Sequence, residues 1–352
     1  MKKIVLAVLF VALVFSVFNG CAPSSKKQNE ENAGGEIPTL MIYSYDSFVS
    51  YGLPKATNKI FEDKYHCKIE YRTFGGVGSS LSRLILEKDN PQADLFVGLN
   101  MNNLQKALNE NLFVPYKPKN ASVIPSQYII DREWRVVPFD GPNSLAIVYD
   151  SEKIKNPPKS FEDLLKPEYK GKLILEDPRT SSPGMGFLLW TVAVFGENGF
   201  IDYWKELKPT IFHIYPNWDS AFTAFTKGEA PMMISYDADP AYFCYDNKSK
   251  PTKYKAIIPS EGGFLQLEFA GIVKGTKHLK LAQEYIDFML SKDFQKEIPL
   301  HQWTFPIDQS IKLPDCFKYA PKASEYVSVS PEKISKYEKK WLEEWIKLIV
   351  TE

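Results

Sequence analysis

Cysteine and histidine are scarce in this chain of 352 residues, which has 4 of each. Apart from Cys21 near the start, the cysteines are Cys67, Cys244 and Cys316, which are too few and too widely separated for a Cys-rich metal site. At most one disulfide can form among these three. The chain has no pair of histidines at i, i+4 spacing and no HExxH, GxSxG or Walker sequence. We therefore expect a protein that is not an enzyme and that holds neither a metal nor a cofactor.

An excess of basic charge is also missing. Lys and Arg number 43, as do Asp and Glu, and no basic stripe runs along the chain. Nucleic-acid binding is therefore not expected. No internal sequence repeat is visible either. Aromatic residues, in contrast, make up 14% of the chain, a high share that fits a ligand site walled by rings.

The first residues have the pattern of a secretory signal peptide, predicted over residues 1–20. A pair of lysines precedes an apolar run over residues 4–17, too short to span a membrane. Cys21 follows the small residue Gly20, as in the bacterial lipobox, although Phe18 stands where Leu is usual. We predict lipidation of Cys21 and an extracytoplasmic protein anchored to a bacterial membrane. A simple secretory cut near Gly20 is the alternative.

The rest of the chain divides into a tether and two lobes. Residues 21–37 are polar, rich in Gly, Ser and Asn, and lack periodicity, which is typical of a flexible tether. About 315 residues remain, enough for two lobes with substantial cores. We predict that residues 38–140 and 265–352 form the first lobe and that residues 141–264 form the second.

Strands and helices alternate along both lobes. Strands predicted at residues 39–45, 68–73 and 93–98 enclose helices at residues 56–64 and 79–88, which is typical of a mostly parallel sheet. After Pro157 and Pro158 the pattern restarts with elements predicted at residues 160–165, 172–175, 184–193, 232–236, 267–273, 280–290 and, for the last helix, from Pro331. The expected fold is α/β, with two lobes hinged across a cleft.

Residues 176–190 (EDPRTSSPGMGFLLW) lead from an apolar strand into a helix. Pro183 is predicted at the first helical position, with Ser182 as the N-cap and Ser181 just outside. The helix is almost wholly apolar, so we expect it to be buried. Its first turn, which opens onto two hydroxyls, can cradle a polar group of a ligand. An ordinary capped helix is the alternative.

Rings and carboxylates follow the ends of several predicted strands. Tyr45 and Asp46 come after the first strand, and Trp218 starts a helix in the second lobe. Tyr236, Asp237, Ala238 and Asp239 follow an apolar strand directly. Tyrosines interleaved with carboxylates suit an organic cation, because rings attract it through their faces and a carboxylate balances its charge. As the alternative, each aspartate caps the helix that follows.

A glycine loop follows the second strand at residues 74–78. It lacks the GxGxxG spacing of a dinucleotide site and the acidic residue that such a site needs further on. We interpret Gly76 and Val77 as part of a tight loop at the edge of the cleft.

Several segments together resemble one family. They are YSYDSF (43–48), VPFDGPNSLAIVYD (137–150), KNPPKSFEDLL (155–165), EDPRTSSPGMGFLLW (176–190), KGEAPMMISY (227–236), EGGFLQLE (261–268) and QWTFP (302–306). Over about residues 39–350 the chain resembles the thiamine-binding periplasmic proteins of bacterial ABC importers, which have a two-lobed "Venus flytrap" fold. KNPP followed by DPRTSSPG is the most specific part of the match.

The resemblance implies a set of ligand contacts and contains two departures. The implied contacts are Tyr45, Ser181, Ser182, Trp218, Tyr236 and Trp303, with others near residues 237–239. Relatives carry Asp-Gly where this chain has Gly76 and Val77, and Thr-Thr-Ser in place of residues 237–239. One carboxylate is thus absent from the first lobe and up to two appear in the second. These changes either compensate for each other around one cation or mark a different ligand, and they disfavour a phosphorylated one.

We therefore predict a monomeric substrate-binding lipoprotein that captures thiamine, a phosphate ester of thiamine or a close analogue and delivers it to an ABC importer permease. A receptor of the same fold for ferric ion, held by Tyr236 and Tyr242, or for a polyamine is one alternative. A thiamine-cleaving transferase is another, since such an enzyme on a similar scaffold uses a Cys nucleophile. Cys67 and Cys244 have no evident activating context in the sequence.

Overall fold

The computed structural model describes residues 37–351. The predicted signal peptide, the lipidation at Cys21 and nearly all of the tether lie outside these residues. The strands are β1 Thr39–Ser44, β2 Lys68–Thr73, β3 Leu95–Asn100, β4 Phe113–Val114, β5 Val137–Asp150, β6 Leu173–Glu176, β7 Ile211–Tyr215, β8 Met232–Tyr236, β9 Tyr254–Ile257, β10 Gly263–Val273 and β11 Tyr326–Val327.

Helices cover the sheet and follow most of its strands. They are α1 Asp46–Ser50, α2 Leu53–Tyr65, α3 Val77–Leu86, α4 Met101–Asn109, α5 Ser182–Leu207, α6 Trp218–Thr226, α7 Asp239–Asp246, α8 Leu279–Met289, α9 Lys292–Gln295, α10 Ile298–His301 and α11 Pro331–Ile346. Residues 160–165, predicted as a helix, form only a 3-10 turn at Asp163–Leu165, because Pro167 disfavours helical geometry in the residue before it.

The strands form one mixed sheet in the order β2-β1-β3-β10-β5-β8-β6-β7. β1 is parallel to β2 and β3, and β6 is parallel to β7 and β8. The long strands β10 and β5 pair antiparallel with each other at the centre. Each half of the sheet therefore has the same order, with its first strand between the second and third. This structural repeat has no counterpart in sequence similarity.

Two main cores lie on the two halves. The first contains β1 and β3, together with parts of α2, α3, α4 and α8. All six residues of β3 are buried. The second contains the end of β5, the strands β6 and β8, and the apolar first half of α5. Ile334, Trp341 and Trp345 of α11 are buried in this second core. The predicted boundaries placed α11 in the first lobe, and the division into lobes stays a prediction.

Helix α5 is the longest element. By length and composition it could cross a membrane, yet its residues from Pro183 to Val192 are buried in the second core. Gly196, with φ of 74°, interrupts it and starts a second helical stretch in a new direction. Its first turn points at the carboxyl end of β6, where the candidate site begins.

Candidate functional site

Polar and aromatic side chains gather where strands of the two halves end. Tyr45 follows β1, Asn100 ends β3, Glu176 ends β6 and Tyr236 ends β8. Ligands of open α/β sheets bind beyond the carboxyl ends of strands. Asn100 Nδ2 donates to the Ser182 hydroxyl at 3.3 Å, so the two halves meet at this edge.

A first pair of carboxyl groups lies between the long strands. Asp140 and Glu268 stand opposite each other in the β5–β10 register, and the register shifts on both sides of Glu268. The Tyr45 hydroxyl lies 2.7 and 2.9 Å from the two Glu268 oxygens and also accepts from Gln302 Nε2. The Glu268 N–H and the Thr304 hydroxyl donate to the two Asp140 oxygens at 3.0 and 2.9 Å. This pair is surrounded by neutral hydrogen-bond donors.

Burial controls the protonation of this first pair. It raises the pKa of Asp140 to about 7, although the hydrogen bonds from Thr304 and the Glu268 N–H act to lower it. Burial, followed by the charge of Asp140, raises the pKa of Glu268 well above its usual range. Two carboxyl groups this close cannot both ionise freely, so the pair retains a proton near neutral pH.

Gly98 makes room for Tyr45. It has φ of 93°, and a Cβ placed on it would lie 2.3 Å from the Tyr45 ring. Only glycine combines this backbone conformation with so close an approach. Gly98 thus lets the Tyr45 ring lie against the backbone of β3, with its hydroxyl on Glu268.

A second pair of carboxyl groups, Glu176 and Asp239, belongs to the other half. Glu176 is 2% exposed and neither of its carboxylate oxygens has a hydrogen-bond partner. Asp239 is 7% exposed, and its Oδ2 has no partner. Burial, then the charge of Asp239, raises the pKa of Glu176 well above its usual range. Burial raises the pKa of Asp239 to about 7, although the Ser235 hydroxyl opposes this.

The start of α5 differs from the prediction by one residue. Ser181, which is extended at φ of −120°, is the N-cap, and Ser182 is the first helical residue. Neither hydroxyl caps the helix, and the buried Ser181 Oγ has no partner. Gly184 brings this first turn onto β6, because a Cβ there would lie 2.5 Å from the Glu176 carbonyl oxygen. The Glu176 backbone therefore packs directly against the helix start.

Aromatic rings accompany the carboxyl groups. The Trp218 indole N–H donates to the Ser235 hydroxyl at 2.8 Å, and the Trp218 ring lies 6.5 Å from that of Tyr51, edge to face. Burial and then the charges of Glu268, Glu176 and Asp239 raise the pKa of Tyr236. Tyr236 is thus within electrostatic reach of carboxyl groups from both halves.

Trp303 belongs to the same aromatic group as Trp218, because Phe222 stacks on Trp218 at 4.5 Å and its ring lies 5.9 Å from that of Tyr242, a neighbour of Trp303. Its ring is 5.1 Å from Tyr242 and 5.4 Å from Tyr245. Trp303 follows Gln302, the residue that donates to Tyr45, and so connects this group to the first carboxyl pair.

Asp237 and Ala238 are more deeply placed than their neighbour Asp239. Asp237 is fully buried, and its Oδ2 accepts from the Ser144 N–H at 3.0 Å while Oδ1 has no partner. Burial raises its pKa well above the usual range. Ala238 packs in a small cluster with Cys244 and Cys316. The alternative, in which each aspartate caps the following helix, is wrong. The N-cap of α7 is Ala238, and no side chain makes a capping hydrogen bond there.

The first-lobe loop carries the remaining predicted contacts. Asp46 is exposed and accepts from the Gly75 N–H at 3.3 Å. Gly76 is exposed as well, whereas Val77 is buried in the first core. Contact between a ligand and these residues stays a prediction.

Sequence reasoning missed five residues that the site contains. They are Tyr51, Asp140, Glu176, Glu268 and Gln302. For three of them a signal was present, because a carboxylate inside or at the end of an otherwise apolar strand needs a partner or a ligand. Nothing in the sequence marks Tyr51 or Gln302.

The segment that leads into α5 carries little positive charge. In residues 176–182 the one cationic side chain is Arg179, which donates to Asp177 at 2.9 Å. Over the described part of the chain, no group of three or more His, Cys, Asp or Glu could hold a metal ion. Buried carboxyl groups without partners beside aromatic rings can stabilise an organic cation.

Known proteins match both the sequence and the fold. A family model for bacterial extracellular solute-binding proteins matches residues 90–328. The thiamine-binding periplasmic protein of Brucella suis biovar 1 (strain 1330) is 34% identical over 343 residues, which cover 96% of this chain and 98% of the relative. That of Salmonella typhimurium (strain LT2) is 34% identical over 310 residues, covering 88% and 92%.

A solved structure of a periplasmic thiamin binding protein gives a TM-score of 0.80 at 32% identity, covering 89% of this chain and 96% of that one. This likeness confirms the predicted α/β periplasmic-binding-protein fold. Proteins of this family bind solutes outside the cytoplasm, which confirms the predicted extracytoplasmic location. The chain belongs to the bacterial extracellular solute-binding proteins and, among them, to the thiamine-binding periplasmic protein family.

Proposed function

We propose that this protein captures thiamine between its lobes and delivers it to the permease of an ABC importer. The observation that carries the proposal is the buried pair Glu176 and Asp239, three of whose four carboxylate oxygens lack a hydrogen-bond partner, and with which no cationic side chain of residues 37–351 forms a salt bridge. Thiamine is an aromatic cation, and its thiazolium ring carries the charge that such a pair needs. The family relationship supports the same ligand.

In the proposed complex the two rings of thiamine stack among Tyr45, Trp218, Tyr236 and Trp303. Each contact between a cation and a ring face contributes roughly 0.5–2 kcal/mol. Leaving a buried polar group unsatisfied costs about 1–3 kcal/mol, so a ligand that satisfies Glu176 and Asp239 removes this cost. The Ser181 hydroxyl, which has no partner, would bind the hydroxyethyl end.

Delivery requires that the lobes close and present a surface to the permease. We propose that they move about β5 and β10, the two strands that join the halves. Closure excludes water from the ligand and produces the form that the permease recognises. The protein would act as a monomer in this cycle.

We also propose that Cys21 carries a lipid that holds the protein at the membrane. The experiment is growth with an alkyne-labelled fatty acid followed by detection of labelled protein. Label should appear in the natural chain and be absent from Cys21→Ala. A released, unlabelled natural chain would show the simple secretory cut instead.

Binding without cleavage is the proposed mode. A thiamine-cleaving transferase needs a reactive thiolate facing the ligand. Cys67 packs in the first core, where burial raises its pKa, and Cys244 is buried beside Cys316. Incubation of the protein with thiamine and an external nucleophile should leave thiamine intact, and release of free pyrimidine would contradict this mode.

Calorimetry tests the proposed ligand. Thiamine, thiamine monophosphate and the bare aminopyrimidine are titrated into the full-length protein after removal of bound ligand. We expect thiamine to bind with an affinity far tighter than millimolar and the bare pyrimidine to bind more weakly, because it lacks the fixed cation. Binding weaker than millimolar for all three compounds would refute the proposed function.

A further inference from the structure

We propose that Glu176 and Asp239 make the site selective for the unphosphorylated ligand, so that thiamine binds on the order of 100-fold tighter than thiamine monophosphate. This inference rests on the proposed function and specifies the substrate class of the same site. Glu176 thereby becomes a specificity-determining residue together with Asp239.

The first argument is the pair of buried carboxyl groups in the second half, which lack partners and which a bound cation keeps ionised. Glu176 and Asp239 come from different elements, β6 and α7, and both are more than nine-tenths buried. Three of their four carboxylate oxygens have no hydrogen-bond partner. A cation can satisfy these oxygens, whereas a phosphoryl group adds one or two further negative charges beside them.

The second argument concerns the start of α5, where an anion would otherwise bind. A helix N-terminus with an unpartnered hydroxyl such as Ser181 favours negative charge. Here the first turn packs on the backbone of Glu176 through Gly184. A phosphoryl group at this turn would therefore lie next to Glu176, whose carboxylate oxygens have no hydrogen-bond partner. Arg179, the nearby cation in sequence, is already paired with Asp177.

The third argument is the charge of the opposite half. Asp140 and Glu268 lie on the central strands β5 and β10, and the charges of Glu268, Glu176 and Asp239 raise the pKa of Tyr236 after burial. A phosphoryl group held near Tyr236 would therefore lie near carboxyl groups of both halves, and each of these that ionises repels it. Like charges brought together in a desolvated site produce strong discrimination.

The experiment compares two ligands on the natural chain and on two nearly isosteric variants. Calorimetry at pH 7.5 should give the natural protein a thiamine affinity on the order of 100-fold above that for thiamine monophosphate. Glu176→Gln and Asp239→Asn should weaken thiamine binding and improve monophosphate binding. The ratio of the thiamine affinity to the monophosphate affinity should therefore fall about 10-fold or more. Asp246→Asn removes the same charge from the exposed end of α7 and should leave the ratio unchanged.

The outcomes separate this inference from the proposed function. Equal or tighter binding of the monophosphate by the natural chain would overturn the selectivity while leaving thiamine capture intact. Failure of every ligand to bind would refute the proposed function itself. Loss of tight monophosphate binding in Arg179→Ala would show that Arg179 provides a phosphate site, which also overturns the inference. Thermal melting checks that each variant folds, and the ratio in the natural chain decides the matter if a variant does not.

Discussion

The two carboxyl pairs of the cleft are both largely buried and differ in hydrogen bonding. Asp140 and Glu268, in the first pair, accept from Tyr45, Thr304 and a backbone N–H. Glu176 and Asp239, in the second pair, keep three oxygens without any partner. Both pairs are buried enough for their pKa values to be raised.

The difference indicates a division of labour between the halves. A buried polar group that is fully hydrogen-bonded adds to the rigidity of a fold, while an unsatisfied one destabilises it. The first pair thus fixes Tyr45 and joins β5 to β10. The second pair is unfavourable in the empty protein and becomes favourable when a cation binds, which is the pattern expected of a binding residue.

The largest effect should come from Gly98→Ala, which displaces Tyr45 from the first pair. Its Cβ would lie 2.3 Å from the Tyr45 ring at a backbone φ of 93°. We expect a loss of about 3 kcal/mol in unfolding free energy, and thus a fall in Tm of roughly 5–10 °C. Thermal melting measures this change.

Gly75→Ala is the matched control for this variant. Gly75 has φ of 83°, and a Cβ there would meet nothing within 4 Å. We expect a loss of about 1 kcal/mol from the backbone conformation alone. Equal losses in the two variants would show that the contact with Tyr45 contributes little.

Asp140→Asn and Asp239→Asn should change stability in opposite directions. An amide at position 140 has one acceptor oxygen for the two donors that Asp140 now satisfies, so we expect a loss of about 1–3 kcal/mol. An amide at position 239 removes a buried charge without a salt bridge, so we expect a gain of about 1 kcal/mol. Denaturant unfolding of the ligand-free variants at pH 8 measures both. Changes of the same sign in the unfolding free energy of both variants would refute the contrast between the two pairs.

The two pairs also share a pH dependence. Asp140 and Asp239 have pKa values raised from 3.8 to about 7 on folding, so the folded chain holds protons that the unfolded chain has lost. The stability of the ligand-free protein should therefore fall as pH rises from about 4 to 7 and level off above 7. Thiamine affinity should rise between pH 6 and 8, because the cation prefers ionised carboxylates.

Asp239→Asn assigns this pH effect to the second pair. The rise in thiamine affinity between pH 6 and 8 should be smaller in this variant than in the natural protein. The stability of the variant should still fall as pH rises, because Asp140 is unchanged. An unchanged affinity profile would attribute the effect to the first pair instead.

Local sequence features predicted the elements that depend on nearby residues. Ser330 before Pro331 predicted the start of α11, and the Ser330 hydroxyl accepts from the Lys333 N–H at 3.3 Å. Trp218 starts α6 as expected, after an Asn217 cap. These features succeed because capping uses donors within three residues.

The pairs that define the site could not be predicted in this way. Glu268 meets Asp140 only because β10 runs antiparallel to β5 in one particular register, across a separation of 128 residues. Glu176 and Asp239 likewise approach through the packing of β6 beside β8. Strand order across the centre of a sheet depends on the whole chain, so the sequence indicated rings and carboxylates without showing which would meet.

The contact between Tyr51 and Trp218 also has an optical consequence. Tyr51 follows α1 in the first half and Trp218 starts α6 in the second, and their rings lie 6.5 Å apart. At that separation an excited tyrosine passes its energy to tryptophan efficiently, so any motion that parts the halves alters the light that Trp218 emits. The protein thus carries an intrinsic fluorescent reporter of its own opening, which can be read without attaching a dye.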